Sequence, residues 1–102
     1  MKKVLGVYQS GEGEFVDKNT GQLITYDSIM IWYVTDEIPA NISDRVNGSI
    51  AYCEKLKRKE VRLLNSPSGD WFDLVGAEVE FLYSKDKDGN PKISGVFVQE
   101  IP

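Results

Sequence analysis

The chain contains no histidine. That removes the commonest general base, the usual serine and cysteine triads, and most zinc sites. It has a single cysteine, Cys53, so no disulfide can close within it. A lone thiol of this kind is expected to be small, apolar in behaviour and buried or half-buried. No run of about 18 apolar residues occurs, which excludes a transmembrane helix. The opening MKKVLGVYQSGEGEF has two lysines but no apolar core of a signal peptide, so a cytoplasmic protein is expected. No repeat, low-complexity segment or internal domain boundary interrupts the chain.

What remains is the composition of one soluble domain spanning residues 1–102, with 41% apolar and 27% charged residues. That length can bury a core without covalent staples. The net charge is −4, which by itself argues against a nucleic-acid partner. The distribution argues otherwise. Residues 54–62, EKLKRKEVR, hold five basic and two acidic side chains, a local +3 that leaves −7 on the rest. A basic strip can therefore meet phosphates while the acidic remainder keeps the protein dispersed.

Period-two alternation dominates the pattern, which is the mark of strands. Residues 3–9 put Leu5 and Val7 on one face and Val4, Gly6 and Tyr8 on the other. Gly11 and Gly13 then interrupt a pattern that Phe15 and Val16 resume, and such glycines mark bulges or sharp bends. One long, strongly bent first strand is expected. Residues 17–21, DKNTG, carry turn chemistry. Residues 22–35 form a second long strand, with Ile29, Ile31 and Tyr33 on one side and Tyr26, Ser28, Met30, Trp32 and Val34 on the other. Both sides are apolar at the centre, so alternation does not choose the inner face. Residues 49–64 read as a strand to about residue 57 followed by a short helical turn over 59–64, or as one helix. A strand at 78–83, a hairpin turn at 85–91 and a final strand at 92–101, with a bulge at Gly95, complete the pattern.

Few constellations carry chemistry. Residues 86–90, DKDGN, lack the glycine and glutamate that a calcium loop places at its sixth and twelfth positions. Residues 17–19 fail the same way, so both are hairpin turns and no metal or other cofactor is expected. Gly11-Glu12-Gly13 has no following helix or lysine to make a phosphate loop. Glu78 and Glu80 read as solvated carboxylates. No catalytic set emerges, so an enzyme is not expected. Aromatic and basic residues remain. Bases stack on aromatic rings while lysine and arginine follow the phosphates of a single strand. The stacking candidates are Tyr8, Tyr26, Trp32, Tyr33, Tyr52, Trp71 and Phe72, with Tyr8, Tyr26 and Trp32 first among them. The phosphate candidates are Lys18, Lys55, Lys57, Arg58, Lys59 and Arg62.

Two stretches, GEFVDKNTGQLITYDSIMI and DLVGAEVEFLYSKDKDGNPKISGVFV, resemble small single-stranded-DNA-binding proteins of phages and mobile elements, including the filamentous-phage gene V type. The resemblance implies an all-β, five-stranded OB-like barrel with a short helical segment between strands three and four. It implies cooperative coating of single-stranded DNA during replication or transfer, by a homodimer or larger homo-oligomer, with RNA as a further possible ligand. Tyr26 matches, by its spacing from the turn, the exposed tyrosine with which gene V-like proteins contact DNA. The chain departs from the group in its acidic net charge and in ending without a long acidic tail. The competing expectation is a small β-barrel whose aromatic face joins it to other proteins, without nucleic acid.

Overall fold

The computed structural model describes residues 1–102. Eight strands form: β1 Lys2–Gln9, β2 Gly13–Val16, β3 Leu23–Tyr26, β4 Ser28–Thr35, β5 Ile50–Lys57, β6 Arg62–Leu64, β7 Glu78–Lys85 and β8 Pro91–Glu100. The only helical pieces are short 3-10 turns at Ala40–Arg45 and Trp71–Leu74. The chain is all-β, as the alternation requires. No helix is long and apolar enough to cross a membrane.

Six strands make one sheet in the order β5-β4-β1-β7-β8-β6. All neighbours run antiparallel except β6, which pairs parallel to β8 through Arg62↔Gly95 and Leu64↔Phe97. No ladder joins β5 to β8. β6 occupies the free edge of β8 over that stretch, so β5 cannot pair there. One face of this sheet supplies nearly all of a 13-residue core that includes Val4, Ile29, Ile31, Leu56, Val79 and Val96. A single sheet can enclose one core only by curling. Tyr33 on β4 meets Phe81 on β7 edge-to-face at 5.0 Å between ring centroids, although β1 lies between those strands.

The expected bent first strand is two strands in line, β1 and β2, and the second is likewise β3 and β4. β1 has an extra residue at Leu5, where its register with β4 shifts between Val4↔Tyr33 and Gly6↔Trp32. Another shift lies between Gln9↔Ile29 and Gly13↔Tyr26. Each bulge adds local twist. Beyond the second, β2 and β3 pair only with each other and leave the body of the sheet as a wing. No residue from 13 to 26 is buried. The wing makes the molecule elongated: its radius of gyration is 15.9 Å, against about 13 Å for a compact chain of this length.

The wing's turn is built as its composition demands. The Asp17 carbonyl accepts from Gly21 N–H, Asp17 Oδ1 accepts from Asn19 N–H at 2.8 Å, and Gly21 has φ +71°. Asp86 Oδ1 likewise accepts from Asp88 and Asn90 N–H in the β7–β8 turn. The bulge expected near Gly95 is present, since Leu82↔Gly95 is followed by Tyr83↔Ile93.

Residues 59–64 differ from expectation. They form a turn and then β6, not a helical turn. Val61 is buried and Leu63 packs against the core, and the unpaired edge of β8 offers hydrogen bonds that outweigh a weak local helix preference. The helical piece between the third and fourth long strands is instead Trp71–Leu74. Asp70 caps it, its side chain accepting from Phe72 N–H at 3.0 Å, and it buries Trp71 and Leu74.

Candidate nucleic-acid interface

β4 settles its own inner face. Ile29, Ile31, Tyr33 and Thr35 are buried, so Ser28, Met30, Trp32 and Val34 point outward. Pairing then determines what flanks them. Tyr8 and Lys55 lie on either side of Met30; Gly6 and Cys53 lie on either side of Trp32; Lys57 lies beside Ser28. Tyr8, Met30, Trp32, Lys55 and Lys57 thus share one outer face. Trp32 is 40% exposed and Tyr8 54% exposed.

Two glycines shape this surface. A Cβ at Gly6 would stand 3.9 Å from the Trp32 ring, so the indole lies over backbone where β1 carries no side chain. Gly13 sits opposite Tyr26 in the wing, and a Cβ there would overlap the Tyr26 ring. The phenol therefore folds across β2, beside Phe15 at 6.4 Å between centroids. Neither glycine stood out as a site residue in the sequence, because the role of each depends on which aromatic faces it across the pair.

The bulge at Leu5 is what presents Tyr8. Plain alternation puts Tyr8 on the same face as Val4, and Val4 is buried. The extra residue reverses the parity, so Tyr8 emerges beside Met30.

Between the wing and the end of β5 runs a groove of about 640 Å³. Tyr26 and Thr25 form one wall, and Lys55, Lys57 and Lys59 line the other. Four carboxylates also line it: Glu12, Glu14, Asp27 and Glu60. Two of them are engaged by Arg58. Its Nε stands 3.2 Å from Asp27 Oδ1, without hydrogen-bond alignment. Its Nη1 lies 3.5 Å from Glu12 Oε1, and its Nη2 donates to the Ser10 carbonyl at 3.0 Å. Arg58 thus fastens the two breaks of the bent hairpin to the end of β5. Its guanidinium is engaged within the chain, by Asp27, Glu12 and the Ser10 carbonyl.

Arg62 and Lys18 are not gathered with the others. Arg62 lies on β6 against β8, at the opposite edge of the sheet order from β5. Lys18 sits in the wing's turn, beyond the Val16↔Leu23 pair, roughly 15 Å from the Tyr26 row at one strand rise per residue. Cys53 is exposed beside Trp32, contrary to the buried thiol expected. Its strand parity, opposite to buried Leu56, was the available signal.

Beneath this face Tyr33 donates to Glu54 at 3.3 Å. Burial first, and then the Glu54 carboxylate, push the phenol up to about 12. At the far end of β1, the terminal amine lies 3.2 Å from Asp36 and Lys2 Nζ lies 2.6 Å from Glu37. Hydrogen bonding and charge from those cations hold both carboxyls below their ordinary range.

Comparison with known proteins finds no matching family model, curated protein or solved structure. The functional reading rests on the surface itself.

Proposed function

We propose that this protein binds single-stranded DNA with little sequence preference. Tyr8, Trp32 and Tyr26 offer rings for base stacking, and Lys55, Lys57 and Lys59 offer phosphate contacts. The observation that carries the proposal is the exposed Tyr8–Met30–Trp32 patch with two lysines in register beside it. Single-strand binders combine these two elements, each stacked base contributing about 1–3 kcal/mol.

The topology supports the same reading. Taken as the first to fifth long strands, β1, β4, β5, β7 and β8 follow the order third-second-first-fourth-fifth. That order is compatible with an OB fold left open at its third and fifth strands, and supports the reading in that way. OB folds bind oligonucleotides on the face of strands two and three and with the loops between strands one and two and between four and five. Here those places are β4–β5, the wing, and the 86–90 turn. The resemblance to phage and mobile-element proteins suggests a cytoplasmic role in DNA replication or transfer, exercised by a homo-oligomer.

Titration with oligo-dT tests this. Trp71 is buried, so quenching on binding reports Trp32. Three lysine–phosphate contacts predict a slope of log K against log salt near −2, at about −0.7 per contact. Trp32→Ala should weaken binding by roughly 5- to 150-fold, the range one lost stack implies. No quenching at low salt would sink the proposal, and RNA in the same titration measures which strand is preferred.

The carboxylates lining the groove favour a second reading, in which the aromatic face docks another protein. Salt-insensitive association that quenches Trp32 without DNA would select it.

A further inference from the structure

The third and fifth long strands do not meet. β6 covers the edge of β8 only from Gly95 to Phe97. From Pro91 to Ile93 that edge faces β5 across an open seam, and a groove of about 400 Å³ runs through it. The floor of the groove is apolar. Leu56 and Val61 are buried there, and Ile93 packs against the core.

Tyr83 supplies the groove's aromatic wall. Val79 and Phe81 precede it on the same face of β7, and both are buried. A side chain in that row belongs inside, yet Tyr83 is 61% exposed, because no strand closes over it. Its partner across β7–β8 is Ile93, so the ring stands beside the apolar floor.

The seam is continuous with the candidate interface. Lys55, Lys57 and Glu60 line both this groove and the one beneath the wing. The two grooves therefore lie on either side of the end of β5, with Tyr26 in one and Tyr83 in the other. Lys92 joins the shared lysines in the seam, against Glu54 and Glu60. Glu54 already accepts a hydrogen bond from the Tyr33 hydroxyl. These charges nearly balance, so an exposed ring over an apolar floor, more than net charge, sets what the seam can hold. A flat base meets that description, with Lys92 left for its phosphate.

We propose that a single strand bound on the Tyr8–Trp32 face crosses Lys55 and Lys57 into the seam, where one base stacks on Tyr83 and a phosphate meets Lys92. Resting on the DNA-binding reading, this adds a subsite that a closed barrel would lack. OB folds bind along strands two and three and through two loops, whereas this groove opens between strands three and five. The length of strand held by one copy grows accordingly.

Titration with oligo-dT of about 4 and about 16 nucleotides, the ends of the range for one OB fold, tests the subsite. On the longer strand Tyr83→Ala should weaken binding by roughly 5- to 150-fold, while Tyr83→Phe, which keeps the ring, should bind as the wild type does. The fourth lysine should bring the salt slope on that strand to about −2.8, and Lys92→Gln should return it to about −2. On the shorter strand, held by the Tyr8–Trp32 face, all three variants should match the wild type. Tyr83 and Lys92 are exposed, so the circular dichroism should not change. Tyr83→Trp in a Trp32→Phe background gives a direct reporter. Trp71 is buried, so the longer strand should quench the indole placed in the seam. Wild-type affinity of Tyr83→Ala for the longer strand, an equal loss on both lengths, or no quenching of the seam reporter would each overturn the subsite. Quenching of Trp32 in the wild type would then still leave the DNA-binding reading standing, whereas no quenching of the wild type at either length would sink both.

Discussion

Arg58 gives the sharpest separation between a residue that holds the site and one that touches ligand. Replace it with glutamine. The Asp27 side chain is 11% exposed and that of Arg58 27% exposed. Both Asp27 carboxylate oxygens are buried and accept no hydrogen bond, so the guanidinium at 3.2 Å is their counter-charge. Removing one partner of a buried pair costs about 3–5 kcal/mol. Partial exposure of the arginine lowers that figure, and about 2 kcal/mol is expected here. At about 4–8 °C per kcal/mol for a domain of this size, Tm should fall by roughly 8–16 °C. Adding Asp27→Asn removes the stranded charge, so Arg58→Gln/Asp27→Asn should melt higher than Arg58→Gln alone, a coupling of about 1 kcal/mol. Binding is read separately, at a temperature where every variant is folded. The salt slope for oligo-dT should stay at the wild-type value in Arg58→Gln and fall by about 0.7 in Lys55→Gln or Lys57→Gln. The lysine variants should melt within about 0.5 kcal/mol of wild type, as surface substitutions do. The reasoning fails if Arg58→Gln melts with the wild type while its salt slope drops by about 0.7.

Cys53 is a reporter already in place, exposed beside Trp32. Saturating oligo-dT at low salt should slow its reaction with a maleimide at least about fivefold, with recovery at high salt as the phosphate contacts are lost; an unchanged rate would place the DNA elsewhere. Tyr33 should make the fold sensitive to alkali. Burial and the Glu54 carboxylate push its phenol from an ordinary value near 10 up to about 12, so its stabilisation is complete below pH 10 and lost as pH rises towards 12, by at most roughly 2–3 kcal/mol. Urea unfolding should show that loss, and Tyr33→Phe should flatten it; a variant as alkali-sensitive as the wild type would remove Tyr33 as the cause.

Much of the fold was legible because it follows from alternation and turn chemistry. The turns at 17–21 and 85–91 consist of residues whose side chains and positive φ build those turns and little else. β4 was visible as a strand, although its inner face was not. Its centre is apolar on both sides, and only the wrapped sheet decides that Ile29, Ile31 and Tyr33 go inward. Residues 59–64 were misplaced for a similar reason, since their partner is the edge of β8, more than thirty residues later. Cys53 was misjudged because neighbours across the sheet, and not residue type, set its surroundings.

The candidate face depends on a relation between two strands that neither reveals alone. β4 alternates without interruption and shows Trp32 and Met30 outward. β1 alternates with an interruption, and had Leu5 not been bulged, Tyr8 would lie with Val4 in the core. One inserted residue therefore brings Tyr8 level with Met30 while Val4 stays inside. The same offset puts Gly6, the one position of β1 without a side chain, opposite Trp32. A bulge in this place costs a ladder hydrogen bond and leaves Leu5 in water. Its effect is to assemble an aromatic patch from a strand whose plain pattern would have buried half of it.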